Sequence, residues 1–190
     1  MSIELWWPTP IYHSEFDEDE NSFELMHQEI ENTIKTIETK PSPFQFCEFE
    51  TTFTNEYSFC DKTPLLKKYI EKHIEEFSQI YTKINNLSIS ESWVNFNGKG
   101  HFQELHDHSG STISGCYYFD TNGNDGDIVF KPTIDMYRHT NVECSLYPEH
   151  VKWTPANGLI LLFPSFLNHF VTVNKTDHKR ISISFNVFNS

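Results

Sequence analysis

Arg180-Ile-Ser-Ile-Ser-Phe-Asn-Val-Phe188 alternates polar and apolar side chains without a break. A strand puts residues i and i+2 on one face, so Arg180, Ser182, Ser184 and Asn186 share one side. Ile181, Ile183, Phe185 and Val187 take the other. Working back towards Leu87, the chain keeps this grammar of short β-runs between turn residues. Candidate strands cover 87–96, 101–108, 112–119, 127–131, 142–146, 150–153, 157–163, 168–174 and 179–187. The turns between them carry Asn97-Gly98, Asn122-Gly-Asn-Asp-Gly126 and Asn157-Gly158. The stretch 132–150 is the least strand-like part of this half and reads as a loop at the mouth of a site.

Before Leu87 the period changes. Glu4 to Tyr12 reads as an extended, proline-restricted strand. Asn21 and Glu24 have capping-box spacing, and Phe23, Met26, Ile30, Ile34 and Ile37 recur at threes and fours, which predicts a helix to about Glu38. Pro41 and Pro43 stop it, and the Phe-rich 44–60 reads as an irregular cap over the site. Thr63 as N-cap and Pro64 at the first helical position open a second helix. Leu66, Tyr69, Ile70, His73, Ile74, Phe77, Tyr81 and Ile84 form its apolar face, with His73 read as a packed core histidine. Two helices followed by many strands predict a mainly β fold with supporting helices, a double-stranded β-helix or jelly roll. We expect one domain over 1–190: a strand, loop and helices in 1–86, then a jelly-roll core in 87–190 that carries the site.

The 190 residues suffice for a sizeable core, and 17 Phe, 8 Tyr and 4 Trp suit a β-rich one. A formal charge of −13 argues against phosphate-backbone binding, which needs clustered Lys and Arg, so no nucleic-acid partner is expected. Cys47, Cys60, Cys116 and Cys144 form no Cys-x-x-Cys pair and follow no signal peptide, the pattern of reduced thiols in a cytoplasmic protein. If a phage encodes the chain, that cytoplasm is the host's. No apolar run reaches membrane-spanning length. Neither oligomeric state nor substrate identity is legible.

His106-Asp107-His108 places two imidazoles on one face of a strand, with Asp107 turned away. Neutral imidazole suits iron, zinc, nickel or copper, and a third histidine from a distant strand completes a facial set. His169 is placed to be that third, straight after the buried run Gly158-Leu-Ile-Leu-Leu-Phe-Pro164 and its turn. Taken alone, the pair also fits two surface histidines, and His169 also fits a hydrogen-bonded core histidine. Arg180 changes the balance. A half-exposed strand would carry Lys, Glu and Thr on its polar side, not small Ser and Asn beside one arginine. Arg180 and Ser182 together suit one carboxylate. Tyr118 shares a face with Ser114 and Cys116, and a phenol pointing inward needs a partner, which a bound carboxylate or an ordinary core acceptor would supply.

These residues in this order resemble the iron(II)- and 2-oxoglutarate-dependent oxygenases, within a group of bacterial and phage proteins related to prolyl 4-hydroxylases. The matching text is Trp93-Val-Asn-Phe-Asn-Gly-Lys-Gly-His-Phe-Gln103, His106-Asp-His-Ser-Gly-Ser111, Ser114-Gly-Cys-Tyr-Tyr118 and Gly126-Asp-Ile-Val-Phe-Lys-Pro132. It continues through Pro155-Ala-Asn-Gly-Leu-Ile-Leu-Leu-Phe-Pro164, His169 and Arg180-Ile-Ser-Ile-Ser-Phe-Asn186, nearly the whole β-half. The resemblance implies that His106 and His169 bind Fe(II), with His108 at the position where the superfamily usually carries a carboxylate. It implies that Arg180, helped by Tyr118 and Ser182, binds the distal carboxylate of 2-oxoglutarate. Dioxygen would be the second co-substrate, and hydroxylation of an unidentified substrate would release succinate and CO2. Kinship with prolyl hydroxylases makes a peptide or protein side chain the first expectation, ahead of a small metabolite. Three neutral imidazoles leave iron more positive than a set with a carboxylate. By parity, Glu104 is a candidate acceptor behind the histidines.

Two other classes compete. A cupin-like three-histidine metalloenzyme explains His-x-His but gives Arg180 and Ser182 no role. A non-enzymatic jelly-roll binding protein needs neither metal nor 2-oxoglutarate.

Overall fold

A computed structural model describes residues 9–44, 48–82, 84, 86–132 and 150–189. The extended start is a short strand, β1 (Tyr12–Ser14). The part of its expected span before residue 9 lies outside the described residues, as do the expected strand 142–146 and most of the 132–150 loop.

Helix α1 (Glu20–Ile34) starts two residues earlier than a cap at Asn21 predicts, because Asp19 is the cap. Its Oδ1 accepts from the Ser22 backbone N–H at 3.0 Å and its Oδ2 from the Ser22 hydroxyl at 2.7 Å. The helix ends at Ile34, and Ile37 packs against the same core from beyond it. The second helix, α2 (Pro64–Tyr81), opens at Pro64 as predicted. Thr63 makes no side-chain cap: its hydroxyl donates back to the Phe59 carbonyl at 3.0 Å, closing a 3-10 turn over Phe59–Lys62. Ile84 lies past the end of α2 and is exposed.

The strands are β2 (Lys40–Pro41), β3 (Glu50–Thr51), β4 (Leu87–Asn97), β5 (Gln103–His106), β6 (Ile113–Asp120), β7 (Ile128–Phe130), β8 (Val151–Trp153), β9 (Ile160–Pro164), β10 (His169–Val171) and β11 (Arg180–Asn189). They form two antiparallel sheets, one ordered β1-β9-β6-β11-β4-β3-β2 and the other β5-β10-β7-β8. This is the mainly β, helix-backed jelly roll the sequence predicts. The region 44–60 departs from expectation: β3 pairs with β4 through Glu50↔Phe96 and Thr51↔Asn95, so part of the cap extends the larger sheet.

The larger sheet is buried on both faces. On one face Val94, Phe96, Tyr117, Ile160, Leu162, Ile183, Phe185 and Val187 meet Met26 and Ile30 of α1 and Leu66, Ile70 and Phe77 of α2. Each such side chain contributes about 1.5–3 kcal/mol on full burial. On the other face Cys116, Tyr118, Leu161 and Phe163 meet Ile128 and Phe130 of the smaller sheet. Leu159 to Phe163 is therefore a continuous apolar run rather than an alternating one. Gly115 permits the tightest approach: a Cβ there would stand 2.7 Å from Leu162 Cδ2 and closer still to the Phe185 ring. Cys60 and Cys116 are free and buried, with burial pushing their thiols up to about 12 and about 11. Cys47 and Cys144 lie outside the described residues. Among the described residues no helix is long and apolar enough to cross a membrane.

Two histidines fasten the helices. His73 is fully buried on α2, as its place on the apolar face predicts, and its ring meets the Tyr12 hydroxyl at 2.7 Å. His27 on α1 meets the Tyr117 hydroxyl at 2.8 Å and packs against Phe23 and Phe119. Burial lowers the pKa of both, that of His27 to about 4. The unfolded chain therefore binds protons more readily below about pH 6.5, the ordinary histidine value. Stability contributed by neutral His27 is complete above that pH and is lost as the pH falls towards 4. The urea midpoint should drop over this window, and more shallowly in His27→Gln, which keeps a polar group for Tyr117 but does not titrate.

Candidate metal and carboxylate site

The antiparallel pairing of β10 with β5 sets His169 directly opposite His106. β5 ends at His106, two residues short of the predicted strand, because the backbone beyond it finds other partners. The His108 N–H donates to the Ser165 carbonyl at 2.8 Å, and the Asp107 carboxylate accepts from the Ser109 N–H at 2.9 Å and the Ser109 hydroxyl at 2.5 Å. Alternation persists through this turn: Leu105 and Asp107 are exposed, while His106 and His108 point inward. As a result one ligand atom each from His106, His108 and His169 lies within 4.8 Å of the others. Asp107 does not join them, and its Ser109 bonds hold its carboxyl below the usual carboxylate range.

The tautomers follow from the backbone. His106 Nδ1 is 2.7 Å from the Glu104 carbonyl and His169 Nδ1 is 2.9 Å from the Leu167 carbonyl. A carbonyl only accepts, so both Nδ1 atoms carry protons and both Nε2 atoms keep lone pairs. Glu104 thus supports His106 through its main chain, not through the carboxylate that parity nominates. Trp93 stacks beside His108 with ring centroids 6.0 Å apart at 22°, and Phe163 packs edge-on to His169 at 4.8 Å. Burial depresses all three histidines, His108 to about 4, with further lowering of His108 by His106 and of His169 by both its neighbours. Three neutral, oriented imidazoles converging on one point are the donor set a borderline divalent metal requires.

Along β11 the inward row runs from Arg180 to Asn186 and is matched across strands. Arg180 pairs with Asn97 and Ser182 with Asn95 on β4, and Ser182 pairs with Tyr118 on β6. Arg180 is only 2% exposed, so its charge demands compensation. Its Nη1 donates to the backbone carbonyls of Gly126 at 2.6 Å and Asp125 at 3.3 Å, while its Nε is buried with no partner. Arg180 lines a cavity shared with three imidazoles, and a carboxylate bound there would give the guanidinium an anionic partner. Tyr118 and Ser182 line the same cavity of about 330 Å³. Burial raises the Tyr118 phenol well above its ordinary range, so it is held protonated and able to donate.

Sequence reasoning passed over the loop that holds Arg180. Asp125 is fully buried, and its carboxylate accepts from the Thr121 hydroxyl at 2.6 Å and the Asn122 N–H at 2.9 Å. Gly126 has φ +105°, and a Cβ there would sit 2.6 Å from the Thr172 carbonyl and 3.2 Å from Arg180 Nη1. The Asn-Gly-Asn-Asp-Gly signal was visible, but as a turn and not as the seat of the arginine. Thr51 and Asn95, joined at 2.9 Å, also line the cavity, and the sequence placed residue 51 there only as part of the 44–60 cap.

Residues 91–186, just over half of the chain, match the family described as "Putative 2OG-Fe(II) oxygenase". The fold and the site thus define a 2-oxoglutarate- and iron(II)-dependent oxygenase class, and the chain belongs to this family. No curated protein matches it by sequence. Solved structures share the fold. A Pseudomonas putida prolyl-4-hydroxylase superposes with a TM-score of 0.66 at 11% identity, over 96% of this chain and 94% of that one. HygX from Streptomyces hygroscopicus, solved with nickel and 2-oxoglutarate, gives 0.63 at 11% identity, over 96% and 84%. A prolyl hydroxylase in complex with a hypoxia inducible factor peptide fragment, from Trichoplax adhaerens, gives 0.64 at 15% identity, over 94% and 83%.

Gly126→Ala should cost about 1–3 kcal/mol, because a methyl group must enter at positive φ against a carbonyl. A denaturant midpoint measured beside that of Gly123→Ala, where φ is +74° but the nearest atom lies 3.7 Å away, separates collision from backbone strain.

Proposed function

We propose that this chain is an iron(II)- and 2-oxoglutarate-dependent dioxygenase that hydroxylates a C–H bond of its substrate. His106, His108 and His169 hold the metal, and Arg180 anchors the distal carboxylate of 2-oxoglutarate with hydrogen bonds from Tyr118 and Ser182. The observation that carries this reading is buried Arg180, its guanidinium only partly satisfied, lining one cavity with three clustered imidazoles. A three-histidine metalloenzyme without an organic acid co-substrate has no use for that group, and a simple binding protein has none for the oriented lone pairs.

Bound together, iron(II) and 2-oxoglutarate supply oxidative C–H activation, consuming dioxygen and releasing succinate and CO2. The protein's part is to orient and to exclude water. The Glu104 and Leu167 carbonyls fix two imidazole tautomers before metal arrives. The 121–126 loop fixes the guanidinium, so a carboxylate meets a rigid donor instead of a flexible one. Phe163, Ile128 and Trp93 give the cavity apolar walls that limit competing water. The kinship in fold with prolyl hydroxylases, one of them solved with a peptide, supports a peptide or protein side chain as substrate.

An anaerobic titration of apo-protein with Fe(II) and then 2-oxoglutarate tests the reading. A visible metal-to-keto-acid charge-transfer band should appear only with both present. In His169→Ala, metal binding should fall by at least about a hundredfold, the loss expected when one of three ligands goes. Arg180→Ala should still bind Fe(II), but its 2-oxoglutarate affinity should fall by about 10–150-fold, the worth of a charge-assisted contact. Unchanged 2-oxoglutarate affinity in Arg180→Ala would remove the anchor assignment.

A further inference from the structure

The proposed oxygenase reading leaves the substrate open, and the opposite end of the same cavity narrows it. Arg180 pairs with Asn97, whereas Asn186, six residues along β11, pairs with Glu91. At about 3.3 Å per residue the two ends stand about 20 Å apart along β11, and His108 lies near the far one, stacked beside Trp93. The end away from Arg180 has a distinct chemistry. Glu91 lines it half-buried, its Oε2 accepting from Asn186 Nδ2 at 2.8 Å. Trp93 lies two residues along the same face, with Phe53 edge-on at 5.0 Å and Phe44 at 5.6 Å from Phe53.

Charge decides which ligand this wall suits. Among the described residues lining the cavity, the carboxylates are Glu91, Glu104 and Asp107, no lysine contributes, and Arg180 is the one permanent cation. An iron(II) ion and a doubly charged 2-oxoglutarate cancel, and the three imidazoles are neutral. Asp107 turns its carboxylate outward, so Glu91 and Glu104 against one arginine leave the loaded cavity with one excess negative charge. The whole chain, at −13, adds a field of the same sign. An anionic substrate would be repelled. A neutral apolar one would desolvate Glu91 without giving it a partner. A cation gains twice, from the carboxylates and from the ring faces of Trp93 and Phe53.

We infer that the substrate presents an ammonium or guanidinium group to Glu91, its alkyl chain lying along Trp93 and Phe53. That group comes either from a free amine such as a basic amino acid or from a Lys or Arg side chain within a peptide. Asn186 is then a positioning residue that holds the Glu91 carboxylate at the wall.

Binding to the protein loaded anaerobically with Fe(II) and 2-oxoglutarate, read by calorimetry, tests this. The probes are L-arginine against its neutral isostere L-citrulline, L-lysine against L-norleucine, and the peptides Gly-Arg-Gly and Gly-Lys-Gly. At least one cationic probe should bind about tenfold or more tightly than its neutral partner, the worth of a hydrogen bond to a charged group. Glu91→Gln, which keeps an oxygen for Asn186 but loses the charge, should erase that preference, and Glu91→Asp should retain part of it. A peptide outranking its free amino acid assigns the group to a side chain in a chain, and the reverse order assigns it to a free amine. Equal binding of charged and neutral probes, or a preference that survives in Glu91→Gln, overturns the inference. So does failure of every cationic probe to bind while the charge-transfer band is present, an outcome that leaves the oxygenase reading standing. Absence of the band itself overturns that reading.

Discussion

The register of β10 against β5 is the constraint on which the rest of the site depends. His169 faces His106 because the two strands pair at those residues, with Val171 opposite Gln103 beyond a register shift. A slip of one residue would carry an imidazole to the opposite face and leave Phe170 or Asn168 in its place. The register is held from both sides, since β10 also pairs with β7 through His169↔Phe130 and Phe170↔Val129. Phe130 and Phe163 close on the His169 ring at 5.8 and 4.8 Å, so packing and pairing agree.

A buried arginine makes a second demand. Arg180 opens the central strand β11, flanked by β4 and β6, where solvent cannot reach it. The fold answers with main-chain carbonyls instead of a directly bonded carboxylate: those of Asp125 and Gly126, delivered by a loop whose glycine alone permits the approach. Two carbonyl dipoles satisfy part of the guanidinium and leave its Nε over. A fully satisfied arginine has no donor left, whereas a partly satisfied one keeps one in hand. The same economy holds for the imidazoles, where one nitrogen is committed to the backbone and the other kept free.

The cavity is graded in charge from one end to the other. Arg180 stands at one end and Glu91 with an aromatic wall at the other, where Trp93 stacks beside His108. Because β11 and β4 run through the whole length, a single pair of strands sets the spacing of Arg180 and Glu91, while β5, the turn after it and β10 bring the histidines. The helices take no part in this lining. They cover the opposite face of the sheet, where Ile183, Phe185 and Val187 are fully buried, and so keep the strands rigid under the site.

Much of this was legible in the chain. Alternation along 180–188 assigned every side chain of β11 to its face, and His-x-His with His169 nominated the imidazoles before any contact was known. Those readings rest on a period of two, which is a property of the backbone and survives any tertiary context. Asp19 displaced Asn21 as helix cap because capping depends on which side chain reaches an N–H, not on spacing alone. The short strand β3 within the 44–60 cap was illegible, since two residues carry no periodic signal and their pairing with β4 is non-local. Likewise Glu104, nominated for its carboxylate, serves His106 through its carbonyl, a distinction no side-chain pattern can carry. The sequence by itself thus determined the fold class, the inward faces and the kinds of chemistry on them. Only the tertiary structure decided register, tautomer and the partners of Arg180, because each depends on backbone groups brought together from strands far apart in the chain.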